Sequence, residues 1–551
     1  MNRRKALSSL AVVLGVFAAC NLSRADGTTE PSATQPSLLS NGDFTQLNDD
    51  YPADWPKGEN AAWHADGGTK FIRLTSPAPG KTVLLYRRLK LPQPLPPALE
   101  LRIKVQYDVN PGKTKWHDAR VMMKFTDDKG EELKPAPPVP SFHGKSDDWV
   151  TKSTFMAVPK GAAFLDVMPA LLQSDSGTFD LAAVEIFPAS EDQAPKPPPM
   201  IPSQPFVPAD ASKYPPELHV DGNELKTKDG KFVQLQGLCL DSLEWSGGGE
   251  HLQQSIPVAI DQWHANAIRL PMKNNFWWGV GPYQKKGEGG LKYRQIIDEC
   301  VEATASRGAY LVLDLHRFGV MDEDDIVFWK DAALRYKDNP AVIFELFNEP
   351  HDLSWKAWRY GGLINDGSHQ DKGAVESNEK VTTKTTVGMQ ALVDAIRSTG
   401  AKNLIIAGGL DWGFDLSGVV NGYALQDVEG ADGIMYSSHI YPWKKGWQHA
   451  TLDAAAKYPV FIGEVGNINA WSDFKFIPKE QQIADIGPTS QWPIDMLGMI
   501  QKYKLNWTGF SFHPKCGPMV ISDWDYTPTP YWGVFVKDAL AGKQFELQKL
   551  R

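Results

Sequence analysis

Cysteine is scarce in this chain. Four of its 551 residues are cysteine, and Cys20 falls in an N-terminal segment that we expect to be removed. The other three, Cys239, Cys300 and Cys516, do not make a disulfide framework, and one of them lies within a predicted strand. Their spacing is also unlike that of metal-ligating cysteines. The fold must therefore rest on a buried core, for which the chain is amply long.

The sequence also has no excess of basic residues. Its formal net charge is -9 at pH 7. This argues against a nucleic-acid partner, because phosphate binding requires a basic face. A neutral polysaccharide makes no electrostatic demand and is compatible with the charge. Charged residues make up 22% of the chain and hydrophobic ones 42%, which is typical of a globular protein.

Long apolar runs are missing beyond the N-terminus. Residues 1–25 are typical of an export signal, with positive charge at residues 3–5, an apolar stretch over residues 10–19 and small residues before the cleavage point. That stretch is too short to span a membrane. We expect an exported protein, periplasmic or extracellular, without a membrane span. Lipid anchoring at Cys20 is an alternative, although Phe17 stands where a lipoprotein box usually has Leu.

The chain is predicted to contain two domains. Residues 26–36 are rich in Ser, Thr and Pro and are expected to be flexible. In residues 37–190, runs of alternating apolar and polar residues are separated by Pro, Gly and Asp clusters, a pattern typical of an all-β sandwich. Residues 191–210 form a Pro-rich, semi-rigid linker. Residues 211–551 begin with a small hairpin and form the second domain.

Eight short apolar runs alternate with helical segments in the second domain. Near-continuous apolar runs indicate strands that are buried on both faces, hence a parallel sheet. Eight strand–helix units predict an α/β fold, a (β/α)8 TIM barrel. A doubly wound open sheet is the competitor, but the first run is not followed by a Gly-rich phosphate turn. The runs are 233–240, 267–272, 309–316, 341–350, 403–409, 434–442, 460–466 and 507–514.

Two of these runs deliver a glutamate to their ends. The fourth delivers Asn348 and Glu349, and the seventh delivers Glu464. The active site of a (β/α)8 barrel lies at the carboxyl ends of its strands, so both carboxylates are expected at one site. Cleavage of a glycosidic bond needs such a pair, one to protonate the leaving oxygen and one to attack or to activate water. Either glutamate alone could equally end a strand at the surface.

Further polar residues lie at other predicted strand ends. Arg269 ends the second run, His316 ends the third, and His439 and Tyr441 lie near the end of the sixth. With the two glutamates, this set resembles glycoside hydrolase family 5, the cellulase family of the clan A retaining glycosidases. The resemblance covers residues 217–540.

This resemblance implies the catalytic roles. Glu349 would be the acid/base and Glu464 the nucleophile. Asn348 would bond the sugar 2-hydroxyl, His439 would bond the acid/base, and Tyr441 would bond the nucleophile. Because His439 and Tyr441 are two residues apart on one strand, their side chains are expected on the same face.

The resemblance also implies supporting residues. Arg269 would keep the nucleophile ionised and aimed, and His316 would line the subsite at the cleavage point. The family commonly has a Trp after strand eight as a floor under the sugar; Phe510 stands there in this chain, with Phe512 as the alternative occupant. Trp443 is a substrate-binding candidate. Further candidates for sugar platforms, which could equally be core residues, are Trp277, Trp278 and Trp447, and the long loop that carries Trp355 and Trp358 is expected to wall the cleft.

Two other carboxylates near the strand ends are expected to be structural. Glu345 should point into the barrel, and Asp314 precedes His316 by two residues. Buried charges are normally paired, so both should have partners. A zinc hydrolase is the weaker reading of the strand-end histidines, because no closely spaced His pair occurs on these strands.

The first domain resembles the jelly-roll carbohydrate-binding modules. The resemblance rests on residues 41–44 (Asn-Gly-Asp-Phe) with Trp55, and on residues 177–187. In those modules a structural calcium often lies between the ends of the sandwich, and the resemblance implies Asp43 and Asp180 as its ligands. Both could equally face solvent. Trp63, Tyr107 and Trp116 are either a sugar platform or core residues.

These patterns together predict an exported, retaining glycoside hydrolase that cleaves β-linked glucan, β-1,4 in linkage, by double displacement. No cofactor is expected for the chemistry, and the protein should act as a monomer on a polysaccharide or oligosaccharide. A β-mannanase or another β-glycanase of the same family is the first alternative. A non-catalytic carbohydrate-binding protein on a decayed barrel is the second, and the intact catalytic set speaks against it.

Overall fold

The computed structural model describes residues 36–111, 117–194, 200–282, 284–285, 287–364 and 385–551. The chain splits into two compact units between Pro197 and Pro198. The predicted signal peptide with Cys20, nearly all of the segment 26–36, and Trp116 lie outside the described residues. No helix in the described ranges is long and apolar enough to cross a membrane.

The first unit contains two six-stranded sheets, whose strands pair in antiparallel fashion, so the predicted all-β domain is confirmed. Along Ala98–Asn110 the side chains alternate between buried and accessible, because one face of the strand meets the core. One sheet holds Ala61–Asp66, Thr69–Thr75, Ala98–Asn110, Gly144–Lys145, Val150–Ala157 and Ser176–Ala189. The other holds Val83–Leu84, Arg87–Lys90, Ala119–Thr126, Glu132–Leu133, Ser141–Phe142 and Phe164–Leu171, and a small hairpin joins Leu47–Asn48 to Tyr51–Pro52.

The two carboxylates that were predicted to bind calcium have other partners in the structure. Asp180 is buried, and its two oxygens accept hydrogen bonds of 2.7 and 2.6 Å from Arg73. Asp43 is exposed and bonds Thr45. The Arg73 guanidinium thus already balances the charge of Asp180 in a bidentate pair, and a calcium ion at this position remains a prediction. The partly buried Trp63 and Tyr107 pack against the sandwich core, as the alternative to a sugar platform predicted.

The second unit is a closed barrel of eight parallel strands, which confirms the predicted fold. An antiparallel hairpin, Leu218–Asp221 with Glu224–Thr227, adds Leu218 and Leu225 to the apolar cluster inside the barrel. The barrel strands, in chain order and referred to below as first to eighth, are Gln236–Cys239, Ala267–Met272, Tyr310–Leu315, Val342–Glu345, Ile405–Gly408, Ile434–Ile440, Val460–Val465 and Asn506–Gly509.

Helices surround the barrel and bury its outer face. They span Leu252–Pro257, Asn274–Trp277, Leu291–Ala305, Glu323–Tyr336, Trp355–Tyr360, Met389–Arg397, Asp453–Ala455, Trp492–Lys502 and Gly533–Leu540. Two short additional pairs join Phe318–Gly319 to Glu349–Pro350 and Gly362–Leu363 to Thr385–Thr386.

Part of the predicted linker is bound to the barrel. The Ser203 N–H donates to Asp331, Arg294 donates to the Ile201 carbonyl, and Phe206 packs against Tyr336. Residues 200–206 therefore belong to the second unit. Proline content indicated stiffness but could not show that this stretch finds partners on the helices.

Candidate active site

A single buried arginine connects the polar strand ends. Arg269 donates from Nε to Glu345 at 2.6 Å and from Nη1 to Glu464 at 2.9 Å. Its Nη2 lies 3.0 Å from Asp314 and donates to the Asn348 amide oxygen at 2.7 Å. Its guanidinium is fully buried and matched by three carboxylates, which explains why so large a charge is tolerated there. Glu345 and Asp314 are thus paired structural carboxylates in this arrangement.

An extra residue in the seventh strand turns Glu464 toward the barrel interior. Phe461 is paired with Ser437 and Glu464 with His439, so three steps along the seventh strand match two along the sixth. A similar mismatch occurs against the eighth strand. Strict alternation from the inward-facing Phe461 would have put Glu464 on the outer face. The bulge around Gly463 restores the inward direction, as bulges beside active sites often do.

Glu464 is held from two sides. Arg269 bonds one carboxylate oxygen, and the Tyr441 hydroxyl donates to the other at 2.5 Å. Burial raises the pKa of Glu464, while the arginine and the tyrosine stabilise its charged form. The two donors orient the carboxylate and also favour its ionised form.

Glu349 lies across the site from Glu464. Its side chain is 14% exposed, and its Oε1 is 3.1 Å from His439 Nδ1. One oxygen of Glu349 lies within 4.8 Å of one oxygen of Glu464. Burial and the neighbouring negative charge of Glu464 hold the pKa of Glu349 well above its usual range. Of the two carboxyl groups, Glu349 is therefore the one that retains a proton.

Both histidines of the site are neutral. Burial, with Arg269 nearby, holds the pKa of His439 well below its usual range. Burial lowers the pKa of His316 to about 4, and His316 Nδ1 lies 2.7 Å from Asp314. A neutral His439 can form a hydrogen bond with Glu349, as donor or acceptor according to its tautomer, without adding a charge to the site.

Substituting Gly463 tests the importance of the bulge. A Cβ there would lie 2.5 Å from Ser437 Oγ and 3.1 Å from both Glu345 Oε1 and His439 Nε2. We expect Gly463→Ala to lower kcat by about ten- to a hundredfold, because it displaces groups that position both glutamates. Steady-state kinetics on a soluble substrate would measure it. Gly509→Ala is the control, since its Cβ meets outward-facing apolar atoms; equal losses in both variants would contradict the prediction.

The predicted aromatic residues fall into two groups. Trp443 is partly buried and stacks on Tyr441 at 4.8 Å, and Phe510 meets the edge of Tyr441 at 6.3 Å. Phe512 is buried in the hydrophobic core, which leaves Phe510 as the residue beside the site. Trp277 and Trp447 are buried core residues, so the prediction of sugar platforms at those positions was wrong. Trp355 and Trp358, on the loop predicted to wall the cleft, are buried in the core as well. Trp278 is partly buried and packs against the core.

Another aromatic group beside Glu349 was missed. Trp412 is 46% exposed and stacks on His351 at 3.5 Å, and the exposed Phe318 lies 6.4 Å from it. Asp411, Trp412 and Gly413 all have positive φ, a left-handed turn that displays the indole. Trp412 follows the fifth strand closely, which is the same signal that selected Trp443.

The cluster of Glu349, His439 and Glu464 also brings three potential metal-ligating atoms together, the only such group among the residues that the structure describes. A cation there would meet the Arg269 guanidinium, which already bonds Glu464. The like charge disfavours a metal ion. The arrangement favours a carboxyl pair that works by proton transfer and direct attack.

Comparison with known proteins identifies the class. The chain belongs to the cellulase family, glycosyl hydrolase family 5, whose model matches residues 226–516. Endoglucanase A of Butyrivibrio fibrisolvens is 30% identical over 279 residues, which is 49% of this chain and 56% of that protein. An endoglucanase of Paenibacillus polymyxa is 25% identical over 378 residues, covering 58% of this chain and 86% of that protein.

The match to the Butyrivibrio protein thus spans little more than half of that relative's length. Among solved structures, the native β-glucanase SdGluc5_26A of Saccharophagus degradans is similar with a TM-score of 0.46 and 22% identity. That likeness covers 64% of this chain and 99% of the other.

Proposed function

We propose that this protein is a retaining glycoside hydrolase that cleaves β-1,4-linked glucan inside the chain. The observation that carries the mechanism is the approach of Glu349 and Glu464, whose nearest oxygens lie within 4.8 Å. Retaining enzymes hold their carboxyl groups about 5–5.5 Å apart, and inverting ones leave about 6.5–9.5 Å for a water. The endoglucanases among the relatives support the choice of glucan as substrate.

In the first half-reaction, Glu464 attacks the anomeric carbon and Glu349 gives its proton to the leaving glycosidic oxygen. The bond from the anomeric carbon to that oxygen breaks as the ester bond to Glu464 forms. The donors Arg269 and Tyr441 hold the attacking carboxylate in place. Because Glu349 holds its proton through burial and through the charge of Glu464, the acid is ready before the attack.

In the second half-reaction, Glu349 acts as a base. Ester formation removes the charge of Glu464, so the pKa of Glu349 falls and its carboxylate can take a proton from water. That water attacks the anomeric carbon and releases Glu464 as a carboxylate. Two inversions at the same carbon retain its configuration.

Asn348 is assigned to the sugar 2-hydroxyl. Arg269 donates to its amide oxygen, which fixes the orientation of the amide. The NH2 of Asn348 has no hydrogen-bond partner among the described residues, so it remains a donor for substrate. A hydrogen bond to the 2-hydroxyl strengthens in the transition state and so contributes to the rate.

Hydrolysis of a substrate panel tests the function. We expect release of reducing ends from soluble β-1,4-glucan, little from β-mannan, and the β-anomer as the first product seen by NMR. Release of reducing ends from mannan alone would show that the substrate is mannan and not glucan. An α-anomer would overturn retention, and the absence of hydrolysis with intact sugar binding would favour the non-catalytic alternative.

The pH profile should depend on Tyr441. Wild-type kcat/KM should fall at high pH as Glu349 loses its proton and at low pH as Glu464 gains one. Tyr441→Phe removes a donor to the charged form of Glu464, so the pKa of Glu464 should rise and the acidic limb should move to higher pH. Measurement of kcat/KM across pH would show this. A lower maximum with an unmoved acidic limb would contradict it.

Phe510 is expected to tune specificity. Phe510→Trp should leave the fold intact and change the ratio of rates on glucan and mannan by about tenfold or less, because the difference in stacking is about 1 kcal/mol. The comparison variant is Phe512→Trp, at a core position. If only that variant changed the ratio, the floor of the site would be two residues further along the chain.

The proposal includes three further expectations. The chemistry needs no cofactor, because the two carboxyl groups supply both the nucleophile and the proton. The protein is exported, and it acts as a monomer. The first unit is dispensable for cleavage of short soluble substrates, since every residue assigned above lies in the barrel unit.

A further inference from the structure

We propose that the loop after the seventh strand forms a second sugar-binding position, away from the bond that is cleaved. We call it the distal subsite and define it by Asp473, Phe474, Phe476, Lys515 and Tyr531. Its ligand is another part of the same β-glycan, so the inference rests on the proposed function. It assigns a substrate contact to a loop that the catalytic residues do not use.

A series of aromatic contacts leads from the buried Tyr441 beside the nucleophile to the exposed Phe476. Tyr441 bonds Glu464, and Trp443 stacks on Tyr441 with the rings 7° apart. Phe474 lies 5.7 Å from Trp443, and Phe476 lies 5.9 Å from Phe474. Aromatic rings in such a series present apolar faces that match the apolar faces of sugar rings.

The series ends at a cavity of about 340 Å³. The volume is within the usual range of small-molecule sites, about 300–1,000 Å³. Phe474, Phe476 and Tyr531 supply apolar wall, while Asp473 and Lys515 supply an acceptor and a donor. Ile468, four residues after the nucleophile, also lines the cavity, so the loop that follows the seventh strand carries both the catalytic end of that strand and this wall.

The exposure of Phe476 points to a ligand. Phe476 is 75% exposed, the most exposed of the large aromatic side chains that the structure describes. A single exposed apolar residue needs no explanation. This one, however, continues an aromatic series that starts at the catalytic pair. Among the residues that line the cavity, Asp473 and Lys515 balance each other, and the exposed Lys475 beside Phe476 adds one positive charge. So small an excess of charge suits a neutral glycan better than an ionic ligand.

The loop is held in place before substrate binds. The Trp471 indole N–H donates to the Ile483 carbonyl at 2.8 Å, and Trp471 lies 6.2 Å from Trp443. Ile477 next to Phe476 is buried. These contacts tie the loop down on both sides of the exposed ring, so less ordering is required on binding.

The test compares substrates of different length in the full chain. We expect Phe476→Ala to lower the ratio of kcat/KM on cellohexaose to that on cellotriose by about three- to tenfold, a typical range for loss of one stacking contact. Phe476→Trp should keep the ratio. Tyr503→Ala is the matched control, because Tyr503 is 39% exposed at the end of the helix Trp492–Lys502.

A second arm measures binding without turnover. Calorimetric titration of the inactive Glu464→Gln protein with cellohexaose should show about three- to tenfold weaker binding when Phe476→Ala is added. An unchanged length ratio together with unchanged affinity would overturn the distal subsite while the hydrolase stands. A wild-type protein that binds cellohexaose through Phe476 but hydrolyses nothing would support the subsite and refute the proposed function.

A third arm identifies which part of the glycan occupies the subsite. Linear oligosaccharides of increasing length should show the effect of Phe476→Ala, because the subsite is proposed for the main chain. If the effect appeared on xyloglucan oligosaccharides and not on linear ones, the occupant would be a branch, and the main-chain assignment would be wrong.

Discussion

Glu464→Gln should abolish turnover of natural substrate, and Glu349→Gln should lower it by about a hundred- to ten-thousandfold, the usual contribution of general acid–base catalysis. The two losses should differ in kind. Without Glu464 no ester can form on any substrate. Without Glu349 an aryl glycoside with a good leaving group can still react, because its leaving oxygen needs no proton.

Rates on soluble glucan and on an activated aryl glycoside would separate the two roles. Circular dichroism and thermal unfolding should show folded protein in both variants. Glu429→Gln, at an exposed position, is the control and should match the wild type. Near-normal turnover by Glu464→Gln would refute its assignment as nucleophile, and equal loss on both substrates in Glu349→Gln would refute the acid role.

Of the variants proposed here, Arg269→Met should cause the largest loss in free energy of unfolding. It removes the guanidinium that contacts three buried carboxylates, and loss of one partner from a buried ion pair costs about 3–5 kcal/mol in free energy of unfolding. Activity should fall with it, since Glu464 loses a donor. Arg269→Lys should retain part of the stability but lose the forked geometry that reaches several acceptors.

Urea unfolding at several pH values checks the cause. Burial already raises the pKa of Asp314 to about 7 and the pKa of Glu345 and Glu464 above the ordinary value, although Arg269 opposes the shift. Without the arginine these folded-state pKa values should rise further above the unfolded ones, so Arg269→Met should lose less stability at low pH than at high pH. Adding Glu345→Gln should recover part of the lost free energy of unfolding at neutral pH, because it removes one of the buried carboxylates that no longer has a cationic partner. A loss that is independent of pH and not relieved by Glu345→Gln would point to packing instead of charge.

The barrel was predictable because each of its eight strands is an apolar run of ordinary length. The place of Glu349 beyond the carboxyl end of the fourth strand followed from the same pattern, although that strand ends at Glu345 and Glu349 lies in the short pair with Phe318–Gly319. The inward direction of Glu464 did not, since a repeat of two residues contains no sign of the extra residue around Gly463. The burial of Trp277 and the exposure of Trp412 could not be predicted either, because the exposure of a side chain depends on which other parts of the chain pack against it. The pairing of Asp180 with Arg73 was hidden for a similar reason, because the two residues are neighbours in the sheet but 107 positions apart in the sequence.

The Arg269 guanidinium is shared by three carboxylates, which outnumber it three to one. When all three are ionised, the floor beneath the scissile sugar carries a net negative charge, and hence a negative electrostatic potential, before any substrate arrives. As the glycosidic bond breaks, positive charge develops on the ring of the sugar, and this potential stabilises it. Once Glu464 is esterified, Glu345 and Asp314 still balance the arginine, so no isolated cation is left under the oxocarbenium-like sugar in the second step. The residues that never touch the substrate thus help to keep the barrier low in both half-reactions.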